Sequence, residues 1–200
     1  DFGNYEVQLT LPDNYMVAAT GLSDKEDIVQ NEIVLPTNTI LKKSFTSTNR
    51  LKHKEANKIP SSTQQKTLLY KQDNVHDFAW FADKRYKVLK GKVKLPHSGK
   101  EVSTWALFTP ANASLWKDAI AYINDGTYYY SKWNGDYPYA AVTAVDGTIS
   151  AGGGMEYPMI TVIGNASSPL ELEIVIVHEV GHNWFYGILG SNERQHGWMD

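Results

Sequence analysis

The first half of the chain is dominated by short segments in which apolar and polar side chains alternate. Residues 5–11 alternate with period two, and the turn residues 12–14 lead into a second apolar run at 15–20. Successive side chains of a strand point to opposite faces, so this pattern predicts a β-hairpin-like start to the chain. Turns are predicted at the polar residues 72–74 and 96–99. Further strands are predicted at residues 32–35, 66–70, 78–82, 93–95 and 102–108.

A change in composition interrupts these strands. Residues 23–31 are rich in charge and predict a surface loop, while residues 36–65 are rich in Thr, Ser, Asn and Lys. Because residues 36–65 contain few large apolar side chains, they contribute little to a core and are predicted to form a long exposed loop. We place a boundary between two domains near residue 90, where the β-rich half ends.

The second half combines helices with strands. Start signals at Pro110, Asn112 and Ser114, with a glycine at Gly135, predict a helix from about residue 113 to 132. Strands predicted at 140–145 and 158–163 precede a long, largely apolar run at 171–190, which has the sequence ELEIVIVHEVGHNWFYGILG. Apolar side chains on most sides of that run predict a helix that crosses the core. This mixture is typical of the α+β class.

Composition narrows the possible functions. The 200 residues include 42% hydrophobic and 12% aromatic residues, which is enough to build a core. The formal net charge is −3 and no basic run is interleaved with aromatic residues, so a nucleic-acid partner is not expected. No uninterrupted apolar run reaches about 18 residues, because charged and polar side chains interrupt the stretch at 171–190, so no transmembrane segment is predicted. Without cysteine, any metal must be held by histidines and carboxylates.

The run at 171–190 contains the motif HEVGH, which begins at His178 and ends at His182. Residues four apart share one face of a helix at about 5–6 Å, so the two imidazoles can converge on one metal ion. Glu179 lies at the edge of that face, where a carboxylate can accept a proton from a water molecule. Gly181 lowers helix stability by about 1 kcal/mol relative to alanine, which predicts a neighbour packed too close for a side chain.

Each motif also has a less specific interpretation. A lone histidine is more often solvated or hydrogen-bonded than metal-bound, but buried histidines need partners, and the spacing within an apolar run favours ligands. Residues 152–157, Gly-Gly-Gly-Met-Glu-Tyr, can be interpreted as a flexible loop. A glycine run also lets a backbone approach a ligand closely, and the carboxylate of Glu156 could pair with a cationic group.

Taken together, the two motifs carry a family resemblance. Residues 153–156, Gly-Gly-Met-Glu, and the later HEVGHNWFYG resemble the zinc aminopeptidase family of aminopeptidase N and leukotriene hydrolase, in which a Gly-x-Met-Glu-Asn segment precedes HExxH. Residues 2–21 and 74–83 look like the end of that family's N-terminal β domain. The resemblance implies that residues 1–90 end this β domain and that residues 91–200 begin a thermolysin-like (zincin) catalytic domain.

The resemblance implies a role for each residue that matches the family's motifs. His178 and His182 are expected to bind Zn²⁺, and Glu179 is expected to be the general base that activates water. Glu156 is expected to hold the free α-amine of a peptide substrate. One departure is Tyr157, where the family usually has Asn.

The two glycines before Glu156, namely Gly153 and Gly154, are expected to lie along the substrate backbone. The third zinc ligand of the family is a Glu separated from the second His by eighteen residues, which here are residues 183–200. The ligand is therefore expected at position 201, and Trp198-Met199-Asp200 resembles the start of the family's Trp-x-Asp-Glu-Gly segment. On this expectation the sequence is an excerpt truncated at both ends, and inactive by itself.

Within the sequence, the acidic and histidine side chains that could supply another ligand are Glu193, His196 and Asp200, but none has a known spacing. A metzincin is excluded because Phe185 and Ile188 stand where that class has Gly and His. The expected function of the full-length protein is that of a zinc aminopeptidase acting on peptides with a free N-terminus. The alternatives are a zincin endopeptidase or other hydrolase, and a non-catalytic peptide-binding scaffold of the same fold.

Overall fold

The computed structural model describes residues 2–25, 32–34, 59–149 and 152–199. The strands are β1 (Gly3–Pro12), β2 (Met16–Ala19), β3 (Leu22–Ser23), β4 (Glu32–Val34), β5 (Gln65–Val75), β6 (Trp80–Asp83), β7 (Lys87–Lys94), β8 (Glu101–Phe108), β9 (Ala141–Asp146), β10 (Gly154–Met155) and β11 (Ile160–Ile163). The helices are α1 (Ala113–Trp116), α2 (Ala119–Asn134), α3 (Pro169–Gly181) and α4 (Glu193–His196), followed by a 3-10 turn at Gly197–Met199. The fold is of the α+β class, as predicted.

A six-stranded sheet in the order β10-β11-β9-β8-β7-β4 forms the centre of the fold. The pairs β8/β9, β9/β11 and β4/β7 are parallel, and the pairs β7/β8 and β10/β11 are antiparallel. Apolar clusters pack on both faces of the sheet. Ala144 of β9 packs in the same cluster as Ile123 of α2 and Ile176 of α3, whereas the next residue, Val145, packs with Met16 of β2. Helices therefore cover one face and the N-terminal strands cover the other.

The N-terminal strands do not form the predicted hairpin. β1 pairs with β5 and β2 pairs with β6, both antiparallel. The reason is burial: all four residues of β2 are buried, with Met16 and Ala18 in one apolar cluster and Val17 and Ala19 in another. Because β2 is buried on both faces, it lies between two layers of the structure. It therefore does not pair with β1, one face of which is exposed.

The turn predicted at residues 72–74 lies inside β5. The pairing of β1 with β5 shifts its register between Gly3 and Tyr5, opposite these residues, and Asn74 has φ 57°. Asparagine tolerates the left-handed region, so a residue type that is common in turns here forms a bulge within a continuous strand. The prediction of a turn at 96–99 is confirmed, because this segment connects the antiparallel strands β7 and β8.

The helix predicted from 113 to 132 is divided into α1 and α2, with a turn at residues 117–118. α1 is anchored by the buried Trp116, whose ring stacks on Phe108 at a centroid distance of 5.9 Å. α2 enters the core through Ala119 and Ile123 and ends before Gly135, which has φ 95°. The predicted glycine stop is confirmed, since glycine adopts a positive φ without steric cost.

α3 begins at a well-formed N-cap. The hydroxyl of Ser168 accepts a hydrogen bond from the backbone N–H of Glu171 at 3.1 Å, and Pro169 occupies the first helical position. The carboxylate of Glu171 in turn accepts one from the backbone N–H of Ser167 at 2.7 Å. The first contact satisfies a helix donor that would otherwise lack a partner, and the second ties the residue before the cap to the first turn, so that together they determine where the helix begins.

α3 ends at Gly181, so the prediction of a helix over residues 171–190 is wrong beyond that point. Asn183 is buried, and its side-chain amide donates to the carbonyl of Val180 at 3.0 Å while its Oδ1 accepts from the N–H of Met159 at 3.0 Å. A side chain that bonds the backbone in this way competes with the next helical turn. α3 also lies on the sheet by one face rather than crossing the core. Its continuation leaves Phe185, Ile188 and Leu189 exposed.

The remaining predictions concern the chain around these elements. The short strand predicted at 32–35 is confirmed as β4. The predicted loop at 36–65 lies outside the described residues up to residue 58, and Gln65 already begins β5. Division into domains near residue 90 stays a prediction; Lys90 lies within β7. In the part of the chain that the structure describes, no helix is long and apolar enough to cross a membrane.

Candidate metal centre

The motif HEVGH occupies the C-terminal end of α3, next to the edge strand β10. His178 is exposed and His182, the C-cap of the helix, is half-buried, whereas Glu179 between them is buried. The interpretation of the histidines as buried is therefore corrected, because α3 presents this face to solvent. An accessible pair of imidazoles beside a buried carboxyl is an arrangement that a substrate can reach.

The two imidazoles converge. Nε2 of His182 lies 3.2 Å from Nε2 of His178. Nδ1 of His182 lies 3.0 Å from the backbone carbonyl of Phe185. A carbonyl can only accept, so a hydrogen bond here requires the proton on Nδ1, and the neutral imidazole then has the lone pair of Nε2 facing His178. Two nitrogens bound to one tetrahedral zinc ion lie about 3.3–3.4 Å apart, so the observed separation fits such an ion. A carbonyl that orients a ligating histidine is a common partner in zinc sites.

Glu179 is a buried carboxyl that lacks a full set of partners. Its side chain is 5% exposed, and Oε2 has no hydrogen-bond partner among the described residues. Burial, and after it the neighbouring Glu156, raise the pKa of Glu179 to about 7, while His182 acts in the opposite direction. A buried polar atom without a partner is costly, which indicates that a proton, a cation or a ligand belongs at this position.

Glu156 completes the cluster. One ligand atom each of Glu156, Glu179 and His182 lies within 4.8 Å of the other two. Glu156 follows β10 and is half-buried, so its carboxyl reaches the end of α3 from the sheet side. The structure thus brings together Glu156, Glu179 and His182, with His178 beside them, although they come from two elements.

The glycine run reaches the site through β10. Gly154 pairs with Ile163 of β11, and the carbonyl of Gly153 accepts a hydrogen bond from the N–H of Gly164 at 2.8 Å. A Cβ atom at Gly154 would lie 2.4 Å from Oε1 of Glu179, whereas one at Gly153 would meet nothing within 4 Å. Gly154 is therefore required for close approach of β10 to Glu179, and its predicted contact with a substrate backbone stays a prediction.

The other residues singled out from the sequence lie farther out. Tyr157 packs at 6.3 Å between ring centroids from Phe81, in the cluster on the face of the sheet opposite the helices. His196 is exposed in α4, and Asp200 lies outside the described residues. Among the described residues, His196 does not join the cluster of potential metal ligands, and a third ligand at position 201 stays a prediction.

Close packing at Gly181 is confirmed. A Cβ atom at this position would lie 2.8 Å from both Cζ and the hydroxyl oxygen of Tyr130 in α2. The ring of Tyr130 also lies 5.6 Å from that of Trp184, so α2 holds the end of α3 from one side.

Two supporting groups were not anticipated from the sequence. These are the Phe185 carbonyl, which orients His182, and Asn183, which ties the end of α3 to Met159. The only signal for Asn183 was a polar residue inside an apolar run. A backbone carbonyl carries no signal in the sequence.

No protein-family model matches the sequence, and no curated protein matches it. Solved structures match its fold, which is that of part of an M1 zinc metallopeptidase. A mutant of a two-domain M1 zinc metallopeptidase bound to L-arginine matches 92% of this chain with a TM-score of 0.59 and 16% identity. The M1 zinc metallopeptidase from Deinococcus radiodurans matches the same share with a TM-score of 0.57 and 16% identity. This chain spans 34% and 35% of those chains, about a third of their length.

Proposed function

We propose that the full-length protein is a zinc-dependent aminopeptidase, which removes N-terminal residues from peptides. The observation that carries the proposal is the convergence of the two Nε2 atoms, 3.2 Å apart, beside a buried Glu179 whose Oε2 lacks a partner. The likeness in fold to M1 zinc metallopeptidases supports the hydrolase class. Two of the matched structures contain a bound amino acid, L-arginine in one and L-tryptophan in the other. Their presence supports amino acids or peptides as ligands of this protein.

The residues present fit a zinc ion. His178 and His182 would hold it through Nε2, with the third ligand expected at position 201. Zinc supplies Lewis acidity, which polarises a peptide carbonyl and lowers the pKa of water toward about 7. Nitrogen and oxygen ligands without thiolate suit this role, because catalytic zinc sites commonly use histidines with a carboxylate.

Glu179 would move the proton. A general base works best when its pKa lies near the operating pH, and burial together with Glu156 raises the pKa of Glu179 to about 7. Such a carboxyl can accept a proton from the attacking water and then donate it to the amine that leaves. Its position within 4.8 Å of a ligand atom of His182 supports this role.

Glu156 would restrict cleavage to the N-terminus. Its carboxylate lies in the same cluster, with an oxygen within 4.8 Å of ligand atoms of Glu179 and His182. Because the proposed metal is assigned to His178 and His182, this carboxylate is left for the substrate. A carboxylate beside the proposed metal can form a charge-assisted hydrogen bond with the ammonium group of a peptide substrate. That bond would hold the first peptide bond of the substrate at the metal.

The test compares Glu156→Ala with wild type in the full-length protein, using amino-acid arylamides and N-blocked peptides. We expect the variant to lose at least about a hundredfold in arylamide kcat/KM, a loss typical of misplaced substrates, while its zinc content is unchanged. Glu101→Ala, which removes an exposed glutamate paired with Lys92, is the matched control and should retain activity. Unchanged arylamide turnover in Glu156→Ala, or preferential cleavage of blocked peptides by wild type, would favour an endopeptidase. Zinc binding without turnover of either substrate would favour a peptide-binding scaffold.

A further inference from the structure

Tyr186 has an unusual backbone conformation in the segment that follows α3. Its φ is 115°, and its side chain is 8% exposed. A positive φ is uncommon for residues with a Cβ atom and is an outlier for a large side chain. Such a conformation persists only where the surrounding contacts hold it, and it is often found at functional sites.

The geometry of Tyr186 is coupled to that of His182. Because a peptide unit is planar, rotating the unit between Phe185 and Tyr186 changes the orientation of the Phe185 carbonyl and the φ of Tyr186 together. That carbonyl accepts the hydrogen bond from Nδ1 of His182 at 3.0 Å. A rotation that gave Tyr186 an ordinary negative φ would turn the carbonyl away from His182. The strained φ and the hydrogen bond are therefore consequences of one peptide orientation.

Contacts from a distant part of the chain hold this orientation. The ring of Tyr186 packs against the ring of His76 with centroids 4.1 Å apart and planes at 75°. His76 lies between β5 and β6 and also contacts the ring of Phe2 at 5.8 Å. The backbone N–H of Gly187 donates to the carbonyl of His182 at 2.8 Å, which closes the segment on itself. The N-terminal strands thus contact the segment that orients a candidate ligand.

We infer that Tyr186, held by His76, is a positioning residue for His182. It keeps the Phe185 carbonyl on Nδ1, so that the lone pair of Nε2 points toward His178. This inference rests on the proposed zinc site and adds to it His76, which is not among the proposed zinc ligands or substrate-binding residues.

The experiment compares Tyr186→Ala with Tyr186→Gly in the full-length protein, which contains position 201. Both variants remove the ring, but glycine adopts a positive φ without steric cost and alanine does not. If Tyr186 orients the peptide unit between Phe185 and Tyr186, that unit should rotate in the alanine variant and keep its orientation in the glycine variant. Because partners of metal ligands affect affinity by about tenfold to a hundredfold, we expect the Kd for Zn²⁺ to rise by that factor in Tyr186→Ala. Tyr186→Gly should bind at least about fivefold more tightly than Tyr186→Ala, a fold-change that corresponds to about 1 kcal/mol.

Two readouts separate this inference from the proposed function. Competition with a chromophoric chelator measures the Kd for Zn²⁺, and long-range ¹⁵N NMR without metal reports which nitrogen of His182 carries the proton. Wild type and Tyr186→Gly should show a protonated Nδ1, and Tyr186→Ala a mixture with protonated Nε2. His76→Ala should resemble Tyr186→Ala, whereas His76→Phe, which keeps a ring, should stay close to wild type. Leu189→Ala, an exposed change in the same segment, is the control.

The outcomes are distinct. If wild type fails to bind Zn²⁺, the proposed function fails, while the NMR comparison still tests the positioning of His182. If wild type binds Zn²⁺ and the alanine and glycine variants have equal affinity and the same His182 tautomer, the inference is overturned. The inference is also overturned if Tyr186→Gly binds Zn²⁺ more weakly than Tyr186→Ala, because loss of packing alone would then explain the effect of both substitutions.

Discussion

A single methyl group at Gly154 would collide with the carboxyl of Glu179. A Cβ atom built there lies 2.4 Å from Oε1 and 2.5 Å from Cδ and Cγ, whereas ordinary contacts begin at 3.4 Å. The strand has little freedom to retreat, because Gly154 pairs with Ile163 and the hydroxyl of Thr161 donates to the carbonyl of Met155 at 2.9 Å. In Gly154→Ala the carboxyl must therefore move by about 1 Å.

A displacement of about 1 Å at a reacting group can cost about a hundredfold in rate, which corresponds to about 2.7 kcal/mol in activation free energy. We expect Gly154→Ala to lower kcat/KM for an amino-acid arylamide by that factor in the full-length protein. Zinc content should not change, because the three atoms nearest the added Cβ all belong to Glu179 and none to an imidazole. Steady-state kinetics and metal analysis on the same preparation measure both quantities.

Gly197→Ala provides the matched control, since a Cβ atom at Gly197 would meet nothing within 4 Å. This variant should match wild type in kinetics and stability. The reasoning is refuted if Gly154→Ala retains wild-type kcat/KM. If Gly154→Ala instead loses zinc, the strand positions the metal ligands rather than Glu179.

Further predictions concern pH and packing. The pKa of Glu179 is raised from 4.5 to about 7 by burial and by Glu156, so the folded state binds this proton more tightly than the unfolded state. Without metal, the free energy of unfolding should therefore fall as pH rises between these values, by up to about 3 kcal/mol, and Glu179→Gln should remove this dependence in urea titrations at pH 5 and pH 8. The same pH dependence of the free energy of unfolding in wild type and Glu179→Gln would contradict this prediction. Gly181→Ala should lower the free energy of unfolding by about 1–3 kcal/mol, because the added methyl group overlaps Tyr130. Gly126→Ala should raise it by up to about 1 kcal/mol, because its Cβ atom would make ordinary contacts at 3.6 Å and alanine favours the helix over glycine. Thermal unfolding that ranks the two variants in the opposite order would refute this packing argument.

Local patterns in the sequence were sufficient for part of this fold. The alternation at residues 5–11 led to β1, the short apolar segment at 32–35 led to β4, and the glycine at Gly135 marked the end of α2. Each of these depends on side-chain periodicity or on backbone freedom at one position, which nearby residues determine. Strand pairing was wrong at the start of the chain, because β1 pairs with a strand more than fifty residues away.

The candidate site also combines features that follow from the local sequence with features that depend on tertiary contacts. The sequence by itself determined that His178 and His182 share one face of a helix with Glu179 beside them, because residue spacing on a helix is a local property. Only the tertiary structure decided that Glu156 reaches that face from β10, that Gly154 leaves room for the Glu179 carboxyl, and that α3 ends at Gly181. It also decided that His76, from the N-terminal strands, packs on the segment that orients His182. These contacts join residues that are far apart in the chain, and burial and steric fit between separate elements determine them.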